Sequence, residues 1–324
     1  MFIAALSILI GFVLLVWSAD KFVDGAAATA RHAGMPSLLI GMVIVGFGTS
    51  APEMVVSAMA ALDGNPNLAL GNAVGSNIVN IGLVLGVTAL IAPIMVHSNI
   101  IRKEMPILLL ITLAFGAILL NNEISYMEAV LLLGGFFALI GWSIFSALKT
   151  RKDTLKDDIE KELQTDGMTL PKAITWLVVG LLLLILSSRI LVWGAVNIAT
   201  SLGISDLIVG LTIVAIGTSL PELAASVIAA KKGEHDIAIG NVVGSNMFNL
   251  LAVVGIAGVI TPISNLDPQV LTRDWATMTA LTIALFVMAY GFGKKGKVGR
   301  AKGIFLLTSY IMYNLYLVFG VMSS

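Results

Sequence analysis

The chain repeats itself. Displaced by 169 residues, the stretch from Ser18 to Pro93 lies over Ser187 to Pro262 without a gap, and about two positions in five are identical. "GTSAPE" (48–53) falls on "GTSLPE" (217–222), and "GNAVGSNIVN" (71–80) falls on "GNVVGSNMFN" (240–249). Whatever fold this chain adopts has to hold two copies of one unit. Features that both copies share are therefore candidates for a common centre.

The surroundings of the repeat define its solvent. Hydrophobic residues make up 58% of the 324 and charged residues 12%, with a mean hydropathy of +0.98. Soluble domains carry about one quarter charged residues, so this composition predicts a polytopic membrane protein. Crossing a bilayer takes roughly 17–25 apolar residues. That length predicts ten spans, at 2–19, 38–62, 68–92, 105–120, 124–147, 173–191, 205–229, 236–260, 275–291 and 303–321. The first and sixth are expected to run on as longer tilted helices, to about residues 33 and 202. The first run, Met1–Trp17, lacks a basic leader and a small-residue cleavage site, and reads as a retained span. The predicted fold is all-α. Residues 1–148 form one five-helix repeat with its motif at 41–93, 149–172 a hydrophilic linker, and 173–324 a second repeat with its motif at 210–262.

Basic residues orient the chain. Loops numbered odd hold 17 of the 19 Lys and Arg residues, and even loops hold only Arg189 and Arg273. The positive-inside rule then predicts odd loops and linker in the cytoplasm and both termini outside. Five spans per unit is an odd number, so the second unit enters the membrane inverted. Inverted repeats with interrupted helices belong to transporters that bind their cargo near the midplane; a channel could share the architecture. Zero net charge gives nucleic acid no footing, no nucleotide-binding loop is present, and the absence of cysteine excludes disulfides and thiolate metal sites. No serine–histidine or metal-hydrolase spacing suggests an enzyme, and no cofactor is expected. The expected partners are lipid and cations.

Each motif combines a proline with an acid. Pro52 has no N–H for the carbonyl of Gly48, nor Pro221 for that of Gly217, so each helix should break just before Glu53 and Glu222. Unpaired backbone inside a membrane persists only where protein or a wet cavity satisfies it. An ionisable group at the bilayer centre costs roughly 2.5–3.5 kcal/mol on insertion scales and marks function. Thr49, Glu53 and Ser57 lie four apart on one helical face, as do Thr218, Glu222 and Ser226. Asn72, Ser76 and Asn80 form a third polar stripe, and Asn241, Ser245 and Asn249 a fourth. Four such stripes can converge. They offer carboxylate, hydroxyl, amide and carbonyl oxygens without imidazole or sulfur, a set that selects hard cations such as calcium or sodium. The acids could equally carry protons. Asp20, Lys21 and Asp24 are expected to pair near an interface, with Arg189 in the corresponding place.

These motifs resemble the two alpha-repeats of the calcium/cation antiporter superfamily, in its sodium/calcium exchanger branch and the bacterial inner-membrane members of that branch. The likeness extends over essentially the whole chain. It implies alternating access at one central site, with calcium and sodium bound only in transit. In such a site Glu53 and Glu222 ligate calcium, assisted by Thr49 and Thr218. Ser50 and Ser219, with the backbones of Gly46 and Ala215, help to hold sodium. Ser76 and Asn80, with Ser245 and Asn249, complete the set. Some relatives, including those that co-transport potassium, carry aspartate where this chain has Asn249; the amide removes one charge and argues against potassium coupling.

Overall fold

The computed structural model describes residues 1–96, 103–154, 168–202, 215–290 and 296–323. Helices dominate it. In chain order they are α1 (Phe2–Ala33), α2 (Ser37–Thr49), α3 (Ala51–Leu62), α4 (Pro66–Ile91), α5 (Met105–Asn121) and α6 (Tyr126–Thr154). The second half contributes α7 (Leu170–Ser201), α8 (Ala215–Thr218), α9 (Leu220–Lys231), α10 (His235–Ile260), α11 (Val270–Tyr290) and α12 (Arg300–Ser323). Among the described residues seven helices are long and apolar enough to cross a bilayer, or eight if the bent pair α2 and α3 is one span. Of the remaining expected spans, the one at 105–120 is the shorter α5. The one at 205–229 begins outside the described residues and continues as α8 and α9. The first and sixth spans do run on, each to 32 residues. At 1.5 Å per residue that is about 48 Å, longer than the hydrocarbon core, so these helices tilt or protrude.

The all-α reading needs one correction. Ile94–Val96 (β1) pairs antiparallel with Gly296–Val298 (β2), with Met95 opposite Lys297. Both strands adjoin helix ends, where the backbone has left the helix and needs new partners. Within the stretch expected as linker, α6 continues to Thr154 and α7 starts at Leu170. The middle of that stretch lies outside the described residues.

Burial sorts the helices. In α10, 83% of the apolar window is inside the protein, and in α4 72%, against 28% for α1 and α7. The two helices carrying the "GN" motifs therefore form the centre. On α1 the side chains of Phe2, Ile3, Leu9, Phe12 and Val13 are exposed, as a lipid-facing surface requires.

Contacts recur in pairs under the same 169-residue displacement. A Cβ on Gly11 would meet Leu191, and one on Gly180 would meet Phe22. A Cβ on Gly25 would meet Ala173 and Leu177, and one on Gly194 would meet Ala4 and Ile8. Glycine thus lets α1 and α7 lie backbone to backbone. As the α1 number rises the α7 number falls, so the two helices run antiparallel.

Both expected breaks are present. Between α2 and α3 the axis bends by 41°. The bend falls at Ser50, with φ −83 and ψ 0. Ser219 repeats this between α8 and α9, with φ −92 and ψ 7. Two further irregularities also match. A π-helical turn starts at Asn80 in α4 and another at Asn249 in α10. Single π turns of this kind often mark functional positions.

Candidate ion-binding site

The breaks decide where the acids sit. Each proline opens a new helix, which places Glu53 in the first turn of α3 and Glu222 in the first turn of α9. A helix N-terminus favours negative charge. Both residues are only 1% exposed, and among the described residues they are the only buried acids or bases.

Residues of both halves meet around Glu222. The Ser50 hydroxyl, from the break before α3, donates to Glu222 Oε1 at 3.3 Å. Thr49 Oγ1 lies 3.0 Å from both Val45 O and Asn241 Oδ1, which share its one proton. Ser245 Oγ donates to Gly46 O at 3.3 Å. The close approach that permits this also depends on glycine. A Cβ on Gly240 would lie 2.8 Å from Leu38 O, and one on Gly244 2.5 Å from Met42 O.

Two asparagines outside the expected set anchor the network. Asn241 Nδ2 donates to Glu222 O at 3.2 Å and Ser226 Oγ at 2.9 Å. Asn72 Nδ2 makes the matching bonds to Glu53 O at 3.4 Å and Ser57 Oγ at 3.0 Å. Each thus fixes the turn that carries its acid. Their recurrence at the head of both polar stripes was the available signal.

A second network crosses the halves one turn further along. Asn80 Nδ2 donates to Asn246 Oδ1 at 3.1 Å, and Asn249 Nδ2 donates to Asn77 Oδ1 at 3.0 Å. These two bonds are equivalent under the repeat. Asn77 and Asn246 did not stand out in the sequence because they lie one residue off the stripes.

Among the described residues, five buried oxygens of the expected set have no hydrogen-bond partner: Glu53 Oε2, Glu222 Oε2, Ser219 Oγ, Asn80 Oδ1 and Asn249 Oδ1. Both halves contribute. A buried unsatisfied polar atom costs about 1–3 kcal/mol, and such exceptions call for an explanation. All five are hard donors, the type that calcium and sodium take.

The backbone expectations fare differently. Gly46 O already accepts from Ser50 N–H at 3.0 Å as well as from Ser245. The Gly217 carbonyl, freed by Pro221, takes the Ser188 hydroxyl at 2.9 Å. Ala215 opens α8. Thr218 and Pro52 line a cavity of about 380 Å³ beside α7, and Ser76 is buried in α4.

Comparison with known proteins places the fold in a family. The family model described as sodium/calcium exchanger protein matches residues 3–145 and 172–319. CaxA of Alkalimonas amylolytica is 46% identical over 321 residues, covering 99% of this chain and 100% of its own. Inner membrane protein YrbG of Escherichia coli is 38% identical over 319 residues, covering 97% and 96%. The sodium-calcium exchanger NCX_Mj, soaked with zero Na+ and Ca2+, superposes with a TM-score of 0.83 at 31% identity, over 98% of this chain and 99% of that one. Its form soaked with 10 mM Na+ and 10 mM Sr2+ gives 0.81 at 32%, over 96% and 97%. A membrane fold shared at this level over the full length, with two buried acids among hard oxygen donors, is that of a cation antiporter. The chain belongs to the sodium/calcium exchanger protein family.

Proposed function

We propose that the protein exchanges calcium for sodium across the membrane by alternating access at one central site. The five unpartnered oxygens, drawn from both halves and including both acids, carry this reading. Two carboxylates match one divalent ion in charge, and the same oxygens suit sodium. Glu53 and Glu222 are assigned to calcium, with Thr49 and Thr218 beside them. Ser50, Ser219, Ser76, Ser245, Asn80 and Asn249 serve the exchanging ions. Gly46 offers its carbonyl only if the bonds from Ser50 N–H and Ser245 Oγ are released, and Ala215 is assigned to offer its own.

The architecture proposed for this work is ten spans in two inverted five-helix repeats, 1–148 and 173–324, joined by a cytoplasmic linker. Supporting it are the reciprocal contacts of α1 with α7 and the matching breaks at Ser50 and Ser219. The basic-residue count puts both termini on the outer face of a bacterial inner membrane.

Energetics favour three sodium ions per calcium. Holding a ~10⁴-fold calcium gradient costs about 5.5 kcal/mol, and moving two charges against ~100 mV about 4.6 more. A tenfold sodium gradient with that voltage returns roughly 3.7 kcal/mol per ion. Two ions fall short and three suffice, so exchange is electrogenic.

The unpaired carboxylate oxygens also support a second reading, in which protons replace sodium. Calcium uptake into proteoliposomes, under a sodium gradient or a proton gradient applied alone, separates the two. Sodium-driven uptake with net charge movement is expected. Uptake driven by protons and indifferent to sodium would install the second reading instead.

A further inference from the structure

The two halves share a sequence pattern but differ in closure, and the difference coincides with a reversal of charge. On one side α1 packs along α9 of the other half. There Val23, Ala225 and Thr49 are at most 1% exposed, and Pro221 and Gly48 are also buried. Their equivalents 169 residues away are Val192, Val56, Thr218, Pro52 and Gly217. All five of these line the cavity of about 380 Å³ that parts α7 from α3. One side is thus shut and the other parted at the same structural position.

Ion pairs fasten the shut side. Lys232 Nζ, just past α9, lies 2.6 Å from Asp20 Oδ1 and 2.7 Å from Asp24 Oδ1, and donates to Asp20 O at 3.0 Å. Lys21 lies 3.3 Å from Asp20, and Arg31 lies 3.6 Å from Glu234. On the parted side Asp20 corresponds to Arg189, and Lys232 corresponds to Asp63, so the acid and the base have changed places. Arg189 lines the cavity and Asp63 caps the end of α3. Among the described residues neither forms an ion pair, and both are exposed. Lys21, Asp24, Arg31 and Glu234 correspond to Ile190, Trp193, Thr200 and Asn65, so the second side has one potential pair and no spare charge.

We infer that Asp20–Lys232 and Asp63–Arg189 are reciprocal clamps, each closing one face of the transporter while the other is broken. Resting on the alternating-access reading, the inference assigns this structure to the state with the even-loop face parted. Conversion draws α7 onto α3, joins Arg189 to Asp63 and releases Lys232. The extra carboxylate at Lys232 biases the equilibrium toward the state seen here.

Because the chain has no cysteine, two pairs of substitutions report on the clamps directly in full-length protein in liposomes. They are Asp20→Cys with Lys232→Cys, and Asp63→Cys with Arg189→Cys, each bridged by a short bis-maleimide. Linking is measured in ion-free buffer, in saturating sodium and in saturating calcium. The two yields are expected to move in opposite directions by several-fold as ions change. Yields that rise and fall together, or an Asp63/Arg189 pair that never links, would overturn the inference. Two variants check the charges: Arg189→Asp should cut exchange several-fold, and adding Asp63→Arg should restore most of it. Absence of rescue in a double variant that still binds calcium also counts against the clamp. Sodium-driven flux of the parent protein is measured alongside. If it fails while the links still alternate, the driving ion is wrong and the clamps stand.

Discussion

Ser50 Oγ donates to Glu222 Oε1 across 3.3 Å, joining the helix break of one repeat to the acid of the other. Neither residue belongs to an element that could form the site alone. Ser50 is positioned because Pro52 ends α2, and Glu222 because Pro221 starts α9. The site is therefore a product of two breaks, and its properties should respond to changes in either half.

Asn241 holds Glu222 O, Ser226 Oγ and the Thr49 hydroxyl, whereas among the described residues Asn72 holds Glu53 O and Ser57 Oγ. Asn241→Ala removes three buried hydrogen bonds, of which Thr49 keeps an alternative at Val45 O, and a lost bond costs about 0.5–1.5 kcal/mol. It should raise the calcium KM about tenfold or more and lower the melting temperature. Asn72→Ala should do less of both. Flux titrations and thermal unfolding in detergent check the order.

Ser188→Ala removes the hydroxyl that occupies the Gly217 carbonyl. Loss of one such bond destabilises by about 1 kcal/mol. The freed carbonyl adjoins Thr218, which is assigned beside the calcium acids, so the variant should also change calcium affinity while sodium affinity holds. Separate sodium and calcium titrations of flux distinguish this from a uniform loss of stability.

Gly244→Ala places a methyl group 2.5 Å from Met42 O, and Gly240→Ala one 2.8 Å from Leu38 O. Both partners are backbone and cannot turn aside, so α2 must move away from α10. Overpacking of this kind costs typically 1–3 kcal/mol. Either variant should unfold at lower temperature and lose exchange together with it, as thermal melts and flux on one preparation would show.

Much of this site was legible in the residues. Buried acids are so costly in a membrane that Glu53 and Glu222 announce themselves, and the two prolines locate the breaks. The extent of α1 and α7 followed from their apolar length. Legibility failed where a residue acts across the repeat boundary. Asn77 and Asn246 bond to Asn249 and Asn80 of the opposite half, and a single helix wheel gives no hint of that. Ser188 meets Gly217 only because α7 lies against α8. The difference in closure between the halves could not be read at all, since the repeat predicts likeness. The small strand pair of 94–96 with 296–298 was missed because two three-residue strands carry too little pattern.

The most direct test of a shared site is calcium binding by calorimetry to the parent, Glu53→Gln, Glu222→Gln and the double variant. Breaking a buried charged group away from its partner costs about 3–5 kcal/mol, or more than 100-fold in affinity. Each single substitution should abolish measurable binding, and the double should do no further harm. Two independent, half-strength losses, or calcium bound undiminished in either single variant, would contradict the account.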